Sequence, residues 1–100
     1  MLAIGGAGFI SATANVAPAK VAALYNAWES GDVKKAQDLH FELMPLNDVL
    51  FKDTNPTVTK VALGMMGKIA PNIRMPLGVP SEAIQQEVRE TLVNMELLEK

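Results

Sequence analysis

The sequence predicts a mainly α-helical chain, with one short N-terminal strand followed by about four helices. Three observations carry this expectation. Hydrophobic residues make up 49% of the 100 positions but aromatic ones only 5%, so the apolar content rests on Ala, Val, Leu, Ile and Met, which suit helix packing more than a sandwich core. Apolar residues recur at intervals of three and four through four separate stretches. Helix punctuation brackets those stretches, with Pro, Asp or Ser at their starts and Gly at two of their ends.

Each element follows in order. Residues 7–13, Ala-Gly-Phe-Ile-Ser-Ala-Thr, form a short apolar run bounded by glycines before and Asn15 after, which fits a buried strand of a parallel sheet. Pro18 opens a first helix carrying Val21, Leu24, Tyr25 and Trp28, and Gly31 closes it. Asp32 caps a second helix whose stripe is Ala36, Leu39, Leu43, Leu46 and Leu50. Pro45 interrupts that stripe. An interior proline removes a backbone hydrogen bond and clashes with the preceding turn, at about 3 kcal/mol, so a kink or break is expected near Glu42 to Met44. Asn55-Pro56 ends the helical pair. Val58, Val61, Ala62 and Met65 give one face of a third helix, closed by Gly67 as the residue able to turn left-handed. A loop from Lys68 to Pro80 holds Pro71, Pro76 and Gly78, after which Ser81 caps a last helix with face Ile84, Val88, Leu92 and Met95.

A lone buried strand poses a physical problem. Its backbone groups need partners, since each buried unsatisfied group costs about 1 to 3 kcal/mol. The rest of the sheet is therefore expected elsewhere, in further chain or in another copy.

Composition narrows the functional classes. The length allows one small domain at most. Nine Lys plus Arg against eleven Asp plus Glu give a net charge of −2, with no basic stripe for nucleic acid. Without cysteine there is neither a disulfide framework nor a thiolate metal site. The apolar start Met1-Leu2-Ala3-Ile4 lacks a basic flank and meets Gly5, Gly6 and Gly8 at once, so it does not read as a signal peptide. No run approaches the roughly 20 apolar residues of a membrane span. A cytoplasmic location is the default expectation, with no membrane or nucleic-acid partner.

The run Gly5-Gly6-Ala7-Gly8-Phe9-Ile10-Ser11-Ala12-Thr13-Ala14-Asn15-Val16-Ala17-Pro18 resembles the last-strand signature of the dihydrodipicolinate synthase and N-acetylneuraminate lyase family. Leu43-Met44-Pro45-Leu46 with Leu50-Phe51, Asn55-Pro56 with Lys60 and Ala62-Leu63, Met66-Gly67, and Arg74-Met75-Pro76-Leu77 before Pro80-Ser81-Glu82 resemble its C-terminal helices in order and spacing. Phe9 departs from the usual valine, and Thr57-Val58-Thr59 replaces a more apolar stretch. The resemblance covers essentially the whole chain. It implies the C-terminal end of a (β/α)8 TIM barrel plus its helical extension: a single partial domain, with residues 1–15 the last barrel strand region, 16–54 a helical pair and 55–100 the C-terminal helices.

In that family a 2-oxo acid such as pyruvate forms a Schiff base with a lysine on an earlier strand, a tyrosine moves protons and paired threonines hold the carboxylate. The resemblance places all three before Met1, and no cofactor or metal is implied. The one contact carried over is Ile10, whose backbone carbonyl would face the active site beside the lysine. No catalytic residue is assigned within the chain. A Schiff-base lysine needs a desolvated pocket that lowers its pKa, whereas Lys20, Lys34, Lys35, Lys52, Lys60, Lys68 and Lys100 fall in helices, a loop or the terminus. Tyr25-Asn26 is similar to the family's tyrosine motif only superficially, because Ala27-Trp28 follow.

Sharper readings of other residues give way to plainer ones. Gly5-Gly6-Ala7-Gly8 precedes the expected strand instead of joining strand to helix, so it reads as a tight turn and not a phosphate cradle. His40 is the only histidine and has no second His or Cys, while Asp38 and Glu42 fall on other helix faces. Met44, Met65, Met66, Met75 and Met95 read as core filler before they read as a binding groove. The expected function is thus a C-terminal fragment of a pyruvate-dependent class I aldolase resembling 4-hydroxy-tetrahydrodipicolinate synthase, inactive alone. A sialic acid lyase or sugar-acid aldolase parent stays open. So do two alternatives: a helical self-association or partner-binding module, and one half of a split enzyme completed by a complementary barrel fragment.

Overall fold

A computed structural model describes residues 1–99. Its elements are a 3-10 turn at Leu2–Ile4 and five α-helices: α1 (Thr13–Val16), α2 (Pro18–Glu29), α3 (Val33–Leu50), α4 (Thr57–Met65) and α5 (Glu82–Asn94). The four long helices are those expected. The short α1 was not, and Ser11 explains it: its hydroxyl accepts the Ala14 N–H, satisfying one donor that a helix start leaves free.

No strand forms among the described residues, which corrects the expectation for residues 7–13. Phe9 is 47% exposed and the Ile10 side chain is fully exposed, so residues 7–10 are not buried either, and burial begins only at the half-covered Ser11 and Ala12 and the buried Thr13. The cause is the one that made a lone strand problematic. Strand geometry is held by ladder hydrogen bonds to a neighbour, and nothing within the described residues offers a second edge. Ala7 to Ile10 make no backbone hydrogen bond there.

Helix junctions follow the punctuation closely. After α2, Gly31 adopts φ 84°, Gly31 N–H reaches Trp28 C=O at 3.0 Å, and Asp32 N–H reaches Ala27 C=O at 2.8 Å, the paired bonds of a Schellman end. Asp32 then accepts the Lys35 N–H at 3.1 Å as the N-cap of α3. One residue closes one helix and opens the next. Gly67 (φ 70°) ends α4 by the same device, with Lys68 N–H on Leu63 C=O at 2.9 Å. Ser81 caps α5 by accepting the Ile84 N–H at 3.4 Å.

Pro45 does not break its helix. α3 runs unbroken from Val33 to Leu50, against the expected interruption near Glu42 to Met44. Leu43, Leu46, Val49 and Leu50 bracket the proline and are all buried, with Leu46 and Leu50 fully so. Burying such side chains stabilises by roughly 1.5 to 3 kcal/mol each, enough to offset a local cost of about 3 kcal/mol.

Helix α3 is the axis of the packing: α2 is its most extensive partner, and α5 and α4 pack on it as well. The core joins Val16 and Val21 to Leu43, Leu46, Val49 and Leu50 of α3, Val58 and Ala62 of α4, and Val88 and Leu92 of α5. Of the methionines assigned to the core, Met95 is buried and Met65 and Met66 pack against it, but Met44 and Met75 are exposed, because neither lies on a face that another described element covers. Thr13 donates a hydrogen bond to the Asn47 side chain, tying α1 to α3. Pairs Lys20–Glu42 and Lys52–Glu87 link α2 to α3 and the end of α3 to α5.

Candidate functional site

The N-terminal segment, α2 and α3 together enclose an open trough of about 760 Å3. Residues 1–3 and 9–13 form one wall, Val21, Leu24 and Trp28 of α2 the second, and Ala36, Gln37, His40, Phe41, Leu43 and Asn47 of α3 the floor, with Phe51 at one end. The 3-10 turn positions the first wall. Gly5, at φ 92°, donates its N–H to Leu2 C=O, and Gly6 donates to Met1 C=O, so the glycine run is a tight turn, as expected. Ser11 and Thr13, held to Ala14 and Asn47, fix the far end of the same wall.

Among the described residues none lining the trough is Asp, Glu, Lys or Arg. Its polar groups are the hydroxyls of Ser11 and Thr13, the amides of Gln37 and Asn47, the His40 imidazole and the Trp28 indole N–H. Ile10 stands on the wall with its side chain fully in solvent.

The lysines lie elsewhere. Lys20 pairs with Glu42, Lys34 with Asp38 and Lys52 with Glu87. Lys35 and Lys68 are exposed, and Lys60 is half-buried on α4. Lys100 lies outside the described residues. Desolvation is what lowers an amine's pKa for imine chemistry, and none of the described lysines borders the apolar trough.

Tyr25 sits one turn before Trp28 and does not line the trough. The Glu29 carboxylate, first as hydrogen-bond acceptor and then as a negative charge, pushes the phenol above its ordinary value, with burial adding to the same direction. This is the opposite of what a phenol working as a base near neutral pH requires. His40 is an exposed helix-face residue set edge-on to Phe41, with ring centroids 5.4 Å apart. Asp38 and Glu42 face lysines. Among the described residues no three His, Cys, Asp or Glu side chains gather as a metal site would need.

The trough itself is what sequence reasoning missed. A signal was present: Phe41, Met44 and Phe51 are large apolar residues that fall off the Ala36-Leu39-Leu43-Leu46-Leu50 stripe, so α3 has more apolar surface than one core contact absorbs.

The sequence pattern of the dihydrodipicolinate synthetase family matches residues 1–95. The 4-hydroxy-tetrahydrodipicolinate synthase of Thermodesulfovibrio yellowstonii is 48% identical over 92 residues, which are 92% of this chain and 32% of that protein. That of Methanopyrus kandleri is 44% identical over 98 residues, 98% of this chain and 33% of the relative. The crystal structure of dihydrodipicolinate synthase from Thermotoga maritima superposes with a TM-score of 0.94 at 39% identity, covering 97% of this chain and 33% of that one. The chloride-inhibited enzyme of Acinetobacter baumannii, solved in complex with pyruvate, gives 0.89 at 32% identity over 95% of this chain and 33% of its own. The chain spans about one third of the length of the curated relatives it matches, and that third is their C-terminal part. Sequence, helix order and three-dimensional path agree along nearly its whole length: this chain belongs to the dihydrodipicolinate synthetase family.

Proposed function

We propose that this chain is the helical C-terminal portion of a pyruvate-dependent carbon–carbon lyase resembling 4-hydroxy-tetrahydrodipicolinate synthase, and that it turns nothing over by itself. The observation that carries this reading is the position of the amines. Imine formation with a keto acid requires a neutral lysine inside a desolvated pocket, and the described lysines are ion-paired, exposed or half-buried, and none of them borders the apolar trough. The parent reaction is the condensation of pyruvate with aspartate semialdehyde through a Schiff base, and the pyruvate complex of the Acinetobacter baumannii relative supports that keto acid. A sialic acid or sugar-acid aldolase parent uses the same first step.

In this reading the chain supplies scaffold and one lip of the substrate pocket, the backbone carbonyl of Ile10. The catalytic lysine, the tyrosine and the carboxylate-binding threonines belong to the remaining two-thirds of the fold, and the protein works in the cytoplasm. No described helix is long and apolar enough to cross a membrane.

Borohydride reduction of the chain with pyruvate, read by intact mass and compared with a free lysine derivative under the same conditions, tests the reading. The expected result is adduct formation no faster than on free lysine. Rapid, saturable labelling at any one lysine of this chain would overturn it.

A further inference from the structure

We infer that Thr13 and Asn47 are positioning residues for the pocket lip at Ile10, a role that rests on the reading of the chain proposed above: their hydrogen bond fixes where the Ile10 carbonyl stands relative to the helices. The bond lies wholly within this chain, so it acts whatever else packs on the trough.

Two kinds of bond hold the backbone that follows Ile10. The first kind is local. The Ser11 hydroxyl accepts the Ala14 N–H at 3.2 Å, the Asn15 side-chain amide donates to the Ser11 and Ala12 carbonyls at 3.3 Å each, and the Asn15 backbone N–H reaches the Ala12 carbonyl at 3.1 Å. None of these spans more than four residues, so together they give the turn its shape without setting its direction. The second kind is the Thr13 hydroxyl donating to Asn47 Oδ1, across 34 residues. Among the described residues it is the one side-chain hydrogen bond that ties the N-terminal arm to a long helix, so the direction of a stiff turn hangs on it.

Both ends of that bond are built to hold. Asn47 sits on α3 between Leu46 and the Val49-Leu50 pair, all three buried in the core, so its backbone is a fixed anchor. Thr13 is buried, and among the described residues no buried side-chain nitrogen or oxygen lacks a partner. Without its acceptor the Thr13 hydroxyl would be buried and unpaired, a cost relieved by swinging the turn toward water. The Ile10 carbonyl, three residues away along the same stiff turn, would move with it. Misplacing a group at a reacting centre by about 1 Å can cost about a hundredfold in rate, so a hydroxyl that touches no substrate still bears on the chemistry.

The test uses the chain as it stands, labelled with 15N and 13C. Residual dipolar couplings give the orientation of the Ile10–Ser11 peptide plane relative to α3, and relaxation gives the order parameters of the Ser11 and Ala12 amides. The native chain is expected to show one orientation, with order parameters of about 0.85, as in a rigid helix. Thr13→Val, which keeps shape but loses the hydroxyl, and Asn47→Leu, which removes the acceptor, are each expected to lose that orientation and to fall below about 0.6, with unchanged helical circular dichroism. Thr13→Ser keeps the donor and is expected to retain the native values. Native order in Thr13→Val and Asn47→Leu overturns the proposal, as does mobility of Ser11 and Ala12 in the native chain. So does a Thr13→Ser variant as disordered as Thr13→Val, since the methyl and not the hydroxyl would then be the anchor. No keto acid enters the experiment, so its failure leaves the lyase reading standing, and borohydride labelling of a lysine would sink that reading without touching this bond.

Discussion

Replacing Pro45 with alanine should stabilise the chain, and the size of the gain tests whether α3 is one helix. Pro45 lies well inside Val33–Leu50, so it deprives the Phe41 carbonyl of its intrahelical donor. A proline at an interior helical position is about 3 kcal/mol less favourable than alanine. Against this, proline stiffens the unfolded chain, and losing it returns up to about 1 kcal/mol to the unfolded state. The side chain is exposed and only borders a shallow hollow shared with Lys20 and Met95, so little packing goes with it. The balance is a gain of about 2 kcal/mol. For a chain of this size that corresponds to a rise in Tm of about 8 to 16 °C. Thermal and urea unfolding followed by circular dichroism would measure it, at one fixed protein concentration because self-association would add its own stabilisation. An unchanged or lowered Tm would mean that the helix is already interrupted before Pro45, leaving alanine no bond to restore.

Three other substitutions probe separate features. Glu96 holds a left-handed backbone (φ 60°) at the end of α5, where Leu97 N–H bonds Leu92 C=O at 2.8 Å; Glu96→Gly should raise stability by about 0.5 to 1 kcal/mol in urea unfolding. A Cβ at Gly64 would meet the Pro71 ring at 2.9 Å, so Gly64→Ala should lose about 1 kcal/mol despite alanine's better helix propensity, since overpacking costs about 1 to 3 kcal/mol. Tyr25 is the only tyrosine, so its titration can be followed by near-ultraviolet absorbance, and Glu29→Gln should bring it down toward the ordinary phenol value. Because its folded-state pKa is raised, Tyr25's contribution to stability is present below the unfolded value of about 10 and fades as pH rises through the folded one.

The long helices were legible because their signals are local. Pro18, Gly31, Asp32, Gly67 and Ser81 act on backbone groups within a few residues, and each does in the structure what its position implied. Pro45 was misread for the converse reason: its cost is local, but the offsetting burial of Leu43, Leu46 and Leu50 against α4 and α5 is tertiary. The strand failed differently. Residues 7–13 have the composition of a strand, but a strand is a relation between two segments, and composition reveals only one of them. At the site, Lys34, Lys35, Lys52 and Lys68 are exposed as their positions implied, whereas Lys20 and Lys60 are half-buried by packing that sequence position does not reveal, and the glycine run was a turn as read. The trough was not foreseen because it needs α2, α3 and the N-terminal arm placed together.

The Gly31-Asp32 junction carries a further consequence. With Asp32 serving both helices, no slack separates α2 from α3, and the two behave as a single rigid hairpin in register. Inserting even one residue there would turn α3 by about 100° relative to α2, rolling Leu43 and Leu46 off the core and His40 and Phe41 off the trough floor together. Tolerance to length change therefore lies outside this elbow, in the long Lys68–Pro80 crossing.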